Sequence, residues 1–302
     1  MSKRLWALPV LAALLVAGRG VGYAIPSLGG PTGVVSTPNA LVAPMGQLQV
    51  AVSYQSMTNS LVSGLETYTP LDDSLNVWSL QALAGVAEGA ELWAAYSKDS
   101  SDFDVSTWGI GGKYKFPTEA SYGMDFAIGA SYQAGSGDTN LIINIGEYEL
   151  PDFEPADVNL DANATKVYGV VTKDFAAMAG SEWCPGSKLL GSLGVLYEKL
   201  NADLDATGLD FTGSGSFDES LFRPFVAVQW ISADNVYLGL EYRWEDDDLD
   251  VDPVFSAVLG GTFAGGWTGE IGTTNADQFG LGLDDQNWFA RVGYNFAAGA
   301  GW

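Results

Sequence analysis

The amino-acid sequence predicts an all-β protein: a single antiparallel up-and-down transmembrane β-barrel of about ten strands, with twelve as the alternative count. Three observations predict this fold. Apolar residues recur with a period of two, the connections between strand segments alternate between long and short, and acidic residues concentrate in the long connections. Together they favour a barrel with one set of connections on each side of a membrane.

The two-residue period is clearest over residues 47–55. One face of the segment would carry the apolar residues Leu48, Val50, Val52 and Tyr54, and the other face would carry the polar residues Gln47, Gln49, Ser53 and Gln55. A strand turns alternate residues to opposite faces, whereas a helix would scatter them. The segments with this pattern are 46–57, 74–86, 90–98, 105–116, 122–133, 164–175, 188–200, 220–232, 235–244 and 287–296. Additional strand in 141–149 and 254–263 would give the count of twelve.

The connections between these segments alternate in length and in charge. The odd-numbered connections are 58–73, 99–104, 134–163, 201–219 and 245–286. The even-numbered connections are 87–89, 117–121, 176–187 and 233–234. The odd set holds 28 of the 37 acidic residues and no lysine or arginine. Outer-membrane barrels have short periplasmic turns and longer extracellular loops, so the odd set is predicted to be extracellular.

Aromatic residues and glycines fit the same interpretation. Aromatic side chains near strand ends are typical of the two girdles at the membrane surfaces. The predicted girdle residues are Tyr54, Tyr96, Phe116, Phe126, Tyr132, Phe175, Phe222, Trp230, Tyr242, Trp244, Trp288 and Phe296. Glycines on the polar faces would let the strands curve. These glycines are Gly109, Gly111, Gly129, Gly194, Gly239 and Gly293.

Residues 1–24 are typical of a secretory signal peptide. Lys3 and Arg4 precede a short apolar core, and small residues lie near the predicted cleavage point. A retained N-terminal anchor is the alternative. We expect residues 25–45 to form a periplasmic segment that leads into the barrel domain, residues 46–302. The predicted location is the bacterial outer membrane, with its lipid as a partner.

Two short segments resemble known outer-membrane proteins. Residues 27–50, SLGGPTGVVSTPNALVAPMGQLQV, resemble the N-terminal segment of YjbH/GfcD-type proteins through GVV, TPNA and PMG in that order. Those proteins accompany exopolysaccharide or capsule secretion, so the resemblance implies an outer-membrane barrel and an association with polysaccharide. Residues 291–296, RVGYNF, resemble the terminal strand that the barrel-assembly machinery reads, which implies that machinery as a partner.

The composition excludes several classes of enzyme. The chain contains no histidine and one cysteine, Cys184. Nucleophile pairs that need histidine and zinc sites built from histidine or cysteine are therefore excluded. A glycosidase that uses paired carboxylates is formally possible, but no pair is singled out. We predict no enzyme, no catalytic residue, no cofactor and no resident metal.

The charge of the chain limits its partners. The formal net charge is −24, and removal of residues 1–24 would make it more negative still. Such a charge repels nucleic acid, so no nucleic-acid partner is expected. The acidic run at 245–252 has two interpretations: a site for divalent cations such as Ca²⁺, or a solvated loop.

Several charged residues fall on the polar face of predicted strands and are candidates to line the lumen. They are Lys113, Asp125, Glu198, Arg223, Glu241, Arg243 and Arg291. They would either line a pore that selects solutes or form an interior network of ion pairs. The first function hypothesis is a non-enzymatic outer-membrane protein with a structural or envelope-associated role, linked to polysaccharide secretion by the resemblance. The alternatives are a narrow passive channel for small solutes and a secreted, soluble carbohydrate-binding β-sandwich.

Overall fold

A computed structural model describes residues 33–58, 74–99, 105–117, 123–141, 156–176, 186–208, 211–245, 252–276 and 282–296. The predicted signal peptide, Cys184 and residues 297–302 lie outside the described residues. The strands are β1 Leu48–Thr58, β2 Ser74–Ala87, β3 Ala90–Asp99, β4 Ser106–Phe116, β5 Met124–Leu141, β6 Ala156–Asp174, β7 Lys188–Gly208, β8 Phe211–Ile231, β9 Val236–Arg243, β10 Val254–Thr262, β11 Trp267–Ala276 and β12 Gly282–Phe296. One 3-10 turn, Ala264–Gly266, links β10 to β11.

These strands form one closed barrel in which every strand pairs antiparallel with its neighbours in sequence. The barrel closes where β1 pairs with β12, from Leu48 opposite Phe296 to Ser56 opposite Trp288. Closure leaves the transmembrane part of the sheet without an open edge. The predicted all-β, up-and-down barrel is confirmed, and the alternative of a soluble β-sandwich is wrong because one sheet closes on itself.

The count of ten strands is wrong, and the alternative of twelve is confirmed. Both additional strands lie in the connection 245–286. β10 corresponds to the segment 254–263 that could add strand, whereas β11 was not predicted. Among the outward positions of β11, Trp267 and Ile271 are large and apolar, but they alternate with glycine and threonine. The two-residue signal is therefore too weak there to reveal a strand.

The two ends of the barrel differ in their connections. The short-turn rim is the end where β1 begins and β12 finishes, and the described connections 88–89, 232–235 and 263–266 lie there. The long-loop rim is the opposite end. Insertion of β10 and β11 preserves the alternation, because β9 ends and β10 begins at the long-loop rim, and β11 ends and β12 begins there too.

The outer surface is apolar between two bands of aromatic side chains. The band at the long-loop rim contains Tyr54, Trp78, Tyr96, Trp108, Tyr132, Tyr197, Phe222, Tyr242, Trp244, Phe255 and Trp288. The band at the short-turn rim contains Tyr114, Phe116, Phe126, Phe175, Trp230, Trp267, Tyr294 and Phe296. Neighbouring rings touch within each band: the Tyr54 ring centroid lies 4.8 Å from that of Trp78 and 5.2 Å from that of Trp288. Every predicted girdle residue lies in one of these bands.

Strands β5 to β8 are much longer than a bilayer requires. They contain 18, 19, 21 and 21 residues, whereas a tilted strand crosses a bilayer with about 9–11. The excess extends beyond the long-loop rim. The segments 134–163 and 201–219 are therefore partly strand rather than loop. Their acidic residues include Asp161 and Asp203, which are exposed directly opposite each other on β6 and β7.

Candidate functional site

Residues 33–45, which we call the plug, run through the lumen from Ser36, which lies beside Arg243 at the long-loop end of β9, to the short-turn rim where β1 begins. Val35 and Ala40 are fully buried, although neither belongs to the barrel wall. The plug begins with a small hairpin in which Gly33 bridges to Pro38. The sequence predicted residues 25–45 as a segment leading into the barrel, but it did not indicate that the segment lies inside. The polar interior makes this position possible, because it supplies hydrogen-bond partners for the plug backbone.

Glu241 on β9 holds the first turn of the plug. Its carboxylate accepts hydrogen bonds from the backbone N–H groups of Val35, Ser36 and Thr37, at 2.9, 2.8 and 3.0 Å. It also accepts from the Ser36 and Thr37 hydroxyls. A carboxylate offers about four lone-pair sites, so this acceptor is saturated. Arg243, two residues along the same face of β9, donates to the Ser36 Oγ at 3.0 Å.

The second half of the plug is held from the opposite side of the barrel. The Ala40 N–H donates to Thr172 Oγ1 on β6 at 2.8 Å, and the Ala43 N–H donates to Glu91 Oε2 on β3 at 2.8 Å. Lys113 on β4 donates to the Asn39 carbonyl at 3.0 Å and forms an ion pair with Glu91 at 3.1 Å. The plug is thus bonded to strands on several sides of the lumen.

Small apolar side chains of the plug complete the packing. Val34 and Val35 join a buried cluster with Ala227, Tyr237, Val258 and Phe289. Ala40 packs in a second cluster with Ala127, Tyr168, Val170, Leu196 and Phe225. Ala43 packs in a third with Leu83 and Trp93. At the rim, the Gly46 N–H donates to the Gly85 carbonyl at 2.8 Å, which joins the plug to β2 where β1 begins.

Gly85 leaves room for the plug backbone, and this gives a testable prediction. A Cβ at Gly85 would lie 2.6 Å from the carbonyl oxygen of Ala43 and closer still to that of Pro44. Gly85→Ala should therefore lower the free energy of unfolding by about 1–3 kcal/mol, as overpacking usually does. Urea unfolding of the refolded protein, followed by tryptophan fluorescence, measures the change.

Gly169→Ala is the matched control for this substitution. A Cβ at Gly169 on β6 meets no heavy atom within 4 Å. We expect the control to unfold like the unmodified protein. Equal destabilisation by the two alanines would contradict a close approach of the plug to β2.

A second interior feature is an ion network centred on Glu198. This β7 carboxylate is fully buried and forms ion pairs with Lys166 at 2.8 Å, with Arg223 and, more distantly, with Arg243 at 3.8 Å. The three cations come from β6, β8 and β9. The register of β7 with its neighbouring strands brings these side chains together: Glu198 lies directly opposite Lys166 on β6 and close to Arg223 on β8. Arg243 also contacts the plug at Ser36, so the network and the plug are connected.

A third group lies among β9, β11 and β12. Arg291 forms an ion pair with Glu270, and the Tyr237 hydroxyl donates to the same carboxylate. All three side chains are buried. Glu270 was not predicted as an interior residue, because the strand that carries it was interpreted as loop.

Comparisons with known proteins address the fold. No known protein-family profile matches this sequence, and no curated protein matches it. Among solved structures, the translocator domain of the autotransporter NalP from Neisseria meningitidis is 14% identical with a TM-score of 0.53, covering 83% of this chain and 88% of that chain. The chain has the fold of a bacterial outer-membrane β-barrel.

Two further solved structures are similar at lower TM-scores. The KdgM porin is 9% identical with a TM-score of 0.48, covering 82% of this chain and 99% of that chain. The β domain of the Bordetella autotransporter BrkA is 12% identical with a TM-score of 0.48, covering 83% of this chain and 98% of that chain. With its apolar outer band, this outer-membrane barrel lies in the bacterial outer membrane in contact with lipid. The resemblance to YjbH/GfcD-type proteins stays a prediction.

The structure places most of the predicted lumen residues inside this outer-membrane barrel. Lys113, Glu198, Arg223, Glu241, Arg243 and Arg291 are all buried there. Asp125 lies apart from them: near the short-turn rim it forms a half-exposed ion pair with Lys115 at 3.0 Å. Sequence reasoning missed Glu91 and Lys166, although both occupy positions of inward parity on strands that were predicted.

The interior chemistry of the barrel is that of paired charges and hydrogen bonds. Among the described residues, no three cysteine, aspartate or glutamate side chains are placed to hold a metal ion together. Residues 246–251, which make up most of the acidic run, lie outside the described residues. Both interpretations of that run, a cation site and a solvated loop, therefore stay open, and the assembly machinery as a partner stays a prediction. No helix in the described part of the chain is long and apolar enough to cross a membrane.

Proposed function

We propose that this protein is a non-enzymatic outer-membrane barrel that is closed at rest, with an envelope-associated role in polysaccharide secretion. The observation that carries the closed state is the plug: its residues are buried in the lumen and bonded to Glu241, Thr172 and Glu91. The ion network around Glu198 fills more of the interior. A constitutive passive channel is disfavoured, because an open pore would need this space to hold water.

The interior charges support a structural role for the network rather than catalysis. The buried acids Glu91, Glu198 and Glu270 each have a buried or mostly buried cation as a direct partner. A catalytic acid or nucleophile needs access to a substrate, and these side chains are enclosed. The link to polysaccharide is the finer part of the proposal and rests on the resemblance of residues 27–50.

Conductance tests the closed state. Purified protein in planar bilayers should show no steady current at moderate voltage, because the plug and the ion network occupy the lumen. Refolding is checked beforehand by heat-modifiable migration in gels, which is typical of intact barrels. Steady conductance by the properly folded protein would overturn the closed state.

Secretion tests the envelope role. Deletion of the gene in the native bacterium should lower the amount of polysaccharide released, and the unmodified gene should restore it. Detergent sensitivity of the cells is the control, since general damage to the envelope would also alter release. Unchanged polysaccharide in the deletion strain would overturn the proposed link.

A further inference from the structure

We infer that the plug is a displaceable gate, and that its displacement turns the barrel into a narrow channel for small cations. The inference rests on the proposed function, because a gate requires a barrel that is closed at rest. It adds an activity, solute conduction, that a permanently closed barrel would not have.

The barrel wall is complete without the plug. All twelve strands find both neighbours within the closed sheet, and the plug contributes no strand to it. The one β-bridge of the plug, between Gly33 and Pro38, is internal to it. The plug can therefore move without breaking a strand pairing of the wall, unlike any segment of β1 to β12.

The bonds between plug and wall can be exchanged for others nearby. Glu91 already forms an ion pair with Lys113 at 3.1 Å, so loss of the Ala43 N–H leaves it a cation partner. Arg243 lies two residues from Glu241 on the same face of β9 and contacts the plug at Ser36. When the plug leaves, Glu91 keeps Lys113 as its ion-pair partner, which lowers the free-energy cost of opening at this position.

The apolar contacts of the plug are small, and the closed state leaves polar groups unpaired. The plug inserts valine and alanine side chains into the three clusters, not large aromatic ones. Trp93 packs against Ala43 and is 4% exposed, and Tyr168 packs against Ala40 and is 5% exposed. The Trp93 indole N–H and the Tyr168 hydroxyl have no hydrogen-bond partner among the described residues. Water that enters on opening would satisfy both groups.

The charges at the long-loop rim determine which solutes would pass. Asp161, Asp203 and Asp205 are exposed on the strand extensions, and Lys199, the lysine of β7 nearest in sequence to Asp203 and Asp205, is paired with Asp218 at 3.3 Å. The odd connections as a group contain no lysine or arginine. An acidic mouth raises the local concentration of cations and lowers that of anions. The open state should therefore prefer cations.

A reversible disulfide tests whether the plug is the gate. An ideal Cβ at Gly239 lies 3.8 Å from the Cβ of Val34, which is the typical Cβ–Cβ separation in a disulfide. The test protein carries Val34→Cys, Gly239→Cys and Glu241→Ala, with Cys184→Ser to remove the native thiol. Glu241→Ala removes the main acceptor of the plug. In planar bilayers we expect no current through the oxidised protein and channel openings after reduction of the disulfide. The reversal potential of the open channel in a KCl gradient should indicate a preference for cations.

Thiol labelling gives a second measurement that does not depend on Gly239. Thr37 is 1% exposed in the closed plug, so Thr37→Cys in the Cys184→Ser background should react slowly with a small maleimide. Adding Glu241→Ala should speed the reaction at least about tenfold, because several hydrogen bonds to the plug are lost. Asp205→Ala, which changes an exposed acid on the extension of β7, is the matched control and should leave the rate unchanged.

The outcomes separate this inference from the proposed function. Two results together would overturn the gate while leaving the closed barrel intact. The folded disulfide protein would carry no current after reduction, and Glu241→Ala would not speed the labelling of Thr37→Cys. Openings that persist in the oxidised protein would also overturn the gate. Steady current through the unmodified protein would instead overturn the closed resting state. An anion preference would overturn the assignment of cations as the solute.

Discussion

Glu198→Ala is expected to lower the free energy of unfolding by about 3–5 kcal/mol, the usual result when one partner of a buried ion pair is removed. The substitution would leave Lys166, Arg223 and Arg243 close together without the carboxylate that they share. Arg223 and Arg243 are enclosed almost completely, so water cannot replace the lost charge cheaply. Equilibrium unfolding in urea from detergent micelles or lipid vesicles measures the effect.

The matched control removes an exposed acid from the same strand. Asp205 lies on the extension of β7 beyond the long-loop rim and is exposed. Asp205→Ala should change the free energy of unfolding by no more than about 0.5 kcal/mol, as is typical of surface substitutions. If both alanines had the same small effect, the cations around Glu198 would have to be hydrated, and the interior could not be the closed network described above.

The same substitution should also loosen the plug, because one side chain belongs to both features. Arg243 lies 3.8 Å from the Glu198 carboxylate and donates to Ser36 of the plug. Glu198 helps to set the position of this guanidinium, and the guanidinium helps to fix the first turn of the plug. Ion network and plug are therefore one connected structure, joined at the Arg243 guanidinium.

The two-face pattern of the strands was predictable from sequence because it is local. In β1, Val52 is exposed outside while Gln49 and Ser53 are buried inside, as the alternation of residues 47–55 indicated. In β12, Val292 is likewise exposed outside while Arg291 is buried inside. Lipid outside and a polar lumen inside require opposite chemistry on neighbouring residues, so the sequence of each strand records its orientation.

Features that depend on distant residues were not predictable in the same way. β11 carries glycine and threonine at outward positions, so its sequence alone does not distinguish it from a loop. The plug has no periodicity of its own, and its place inside the barrel depends on acceptors more than 200 residues away, such as Glu241. The partners within the ion network depend on register between strands, which sets Lys166 opposite Glu198. A one-residue slip would have turned either side chain toward lipid.

Placing a charge on the outer face between the aromatic bands should also be strongly destabilising. Val52 on β1 is 46% exposed and lies between Tyr54 in the long-loop band and Leu48 at the short-turn rim, and its partners across the sheet, Val292 and Leu80, are not aromatic. If lipid surrounds this surface, Val52→Arg should lower the free energy of unfolding by about 2–4 kcal/mol, the cost of arginine near the bilayer midplane. Urea unfolding from lipid vesicles measures it, since detergent micelles adapt more easily to a buried charge.

Leu48→Arg provides the matched control at a different depth. Leu48 is also an outward apolar residue, 41% exposed, but it lies at the beginning of β1, opposite Phe296 in the short-turn aromatic band. Arginine near the interface costs only about 0–1 kcal/mol, because its guanidinium reaches the headgroups. The difference between the two changes in the free energy of unfolding reports the depth of each residue in the membrane. Any general effect of a longer, charged side chain is common to both substitutions and cancels. Equal effects at Val52 and Leu48 would mean that the band between the aromatic girdles does not face the hydrocarbon core.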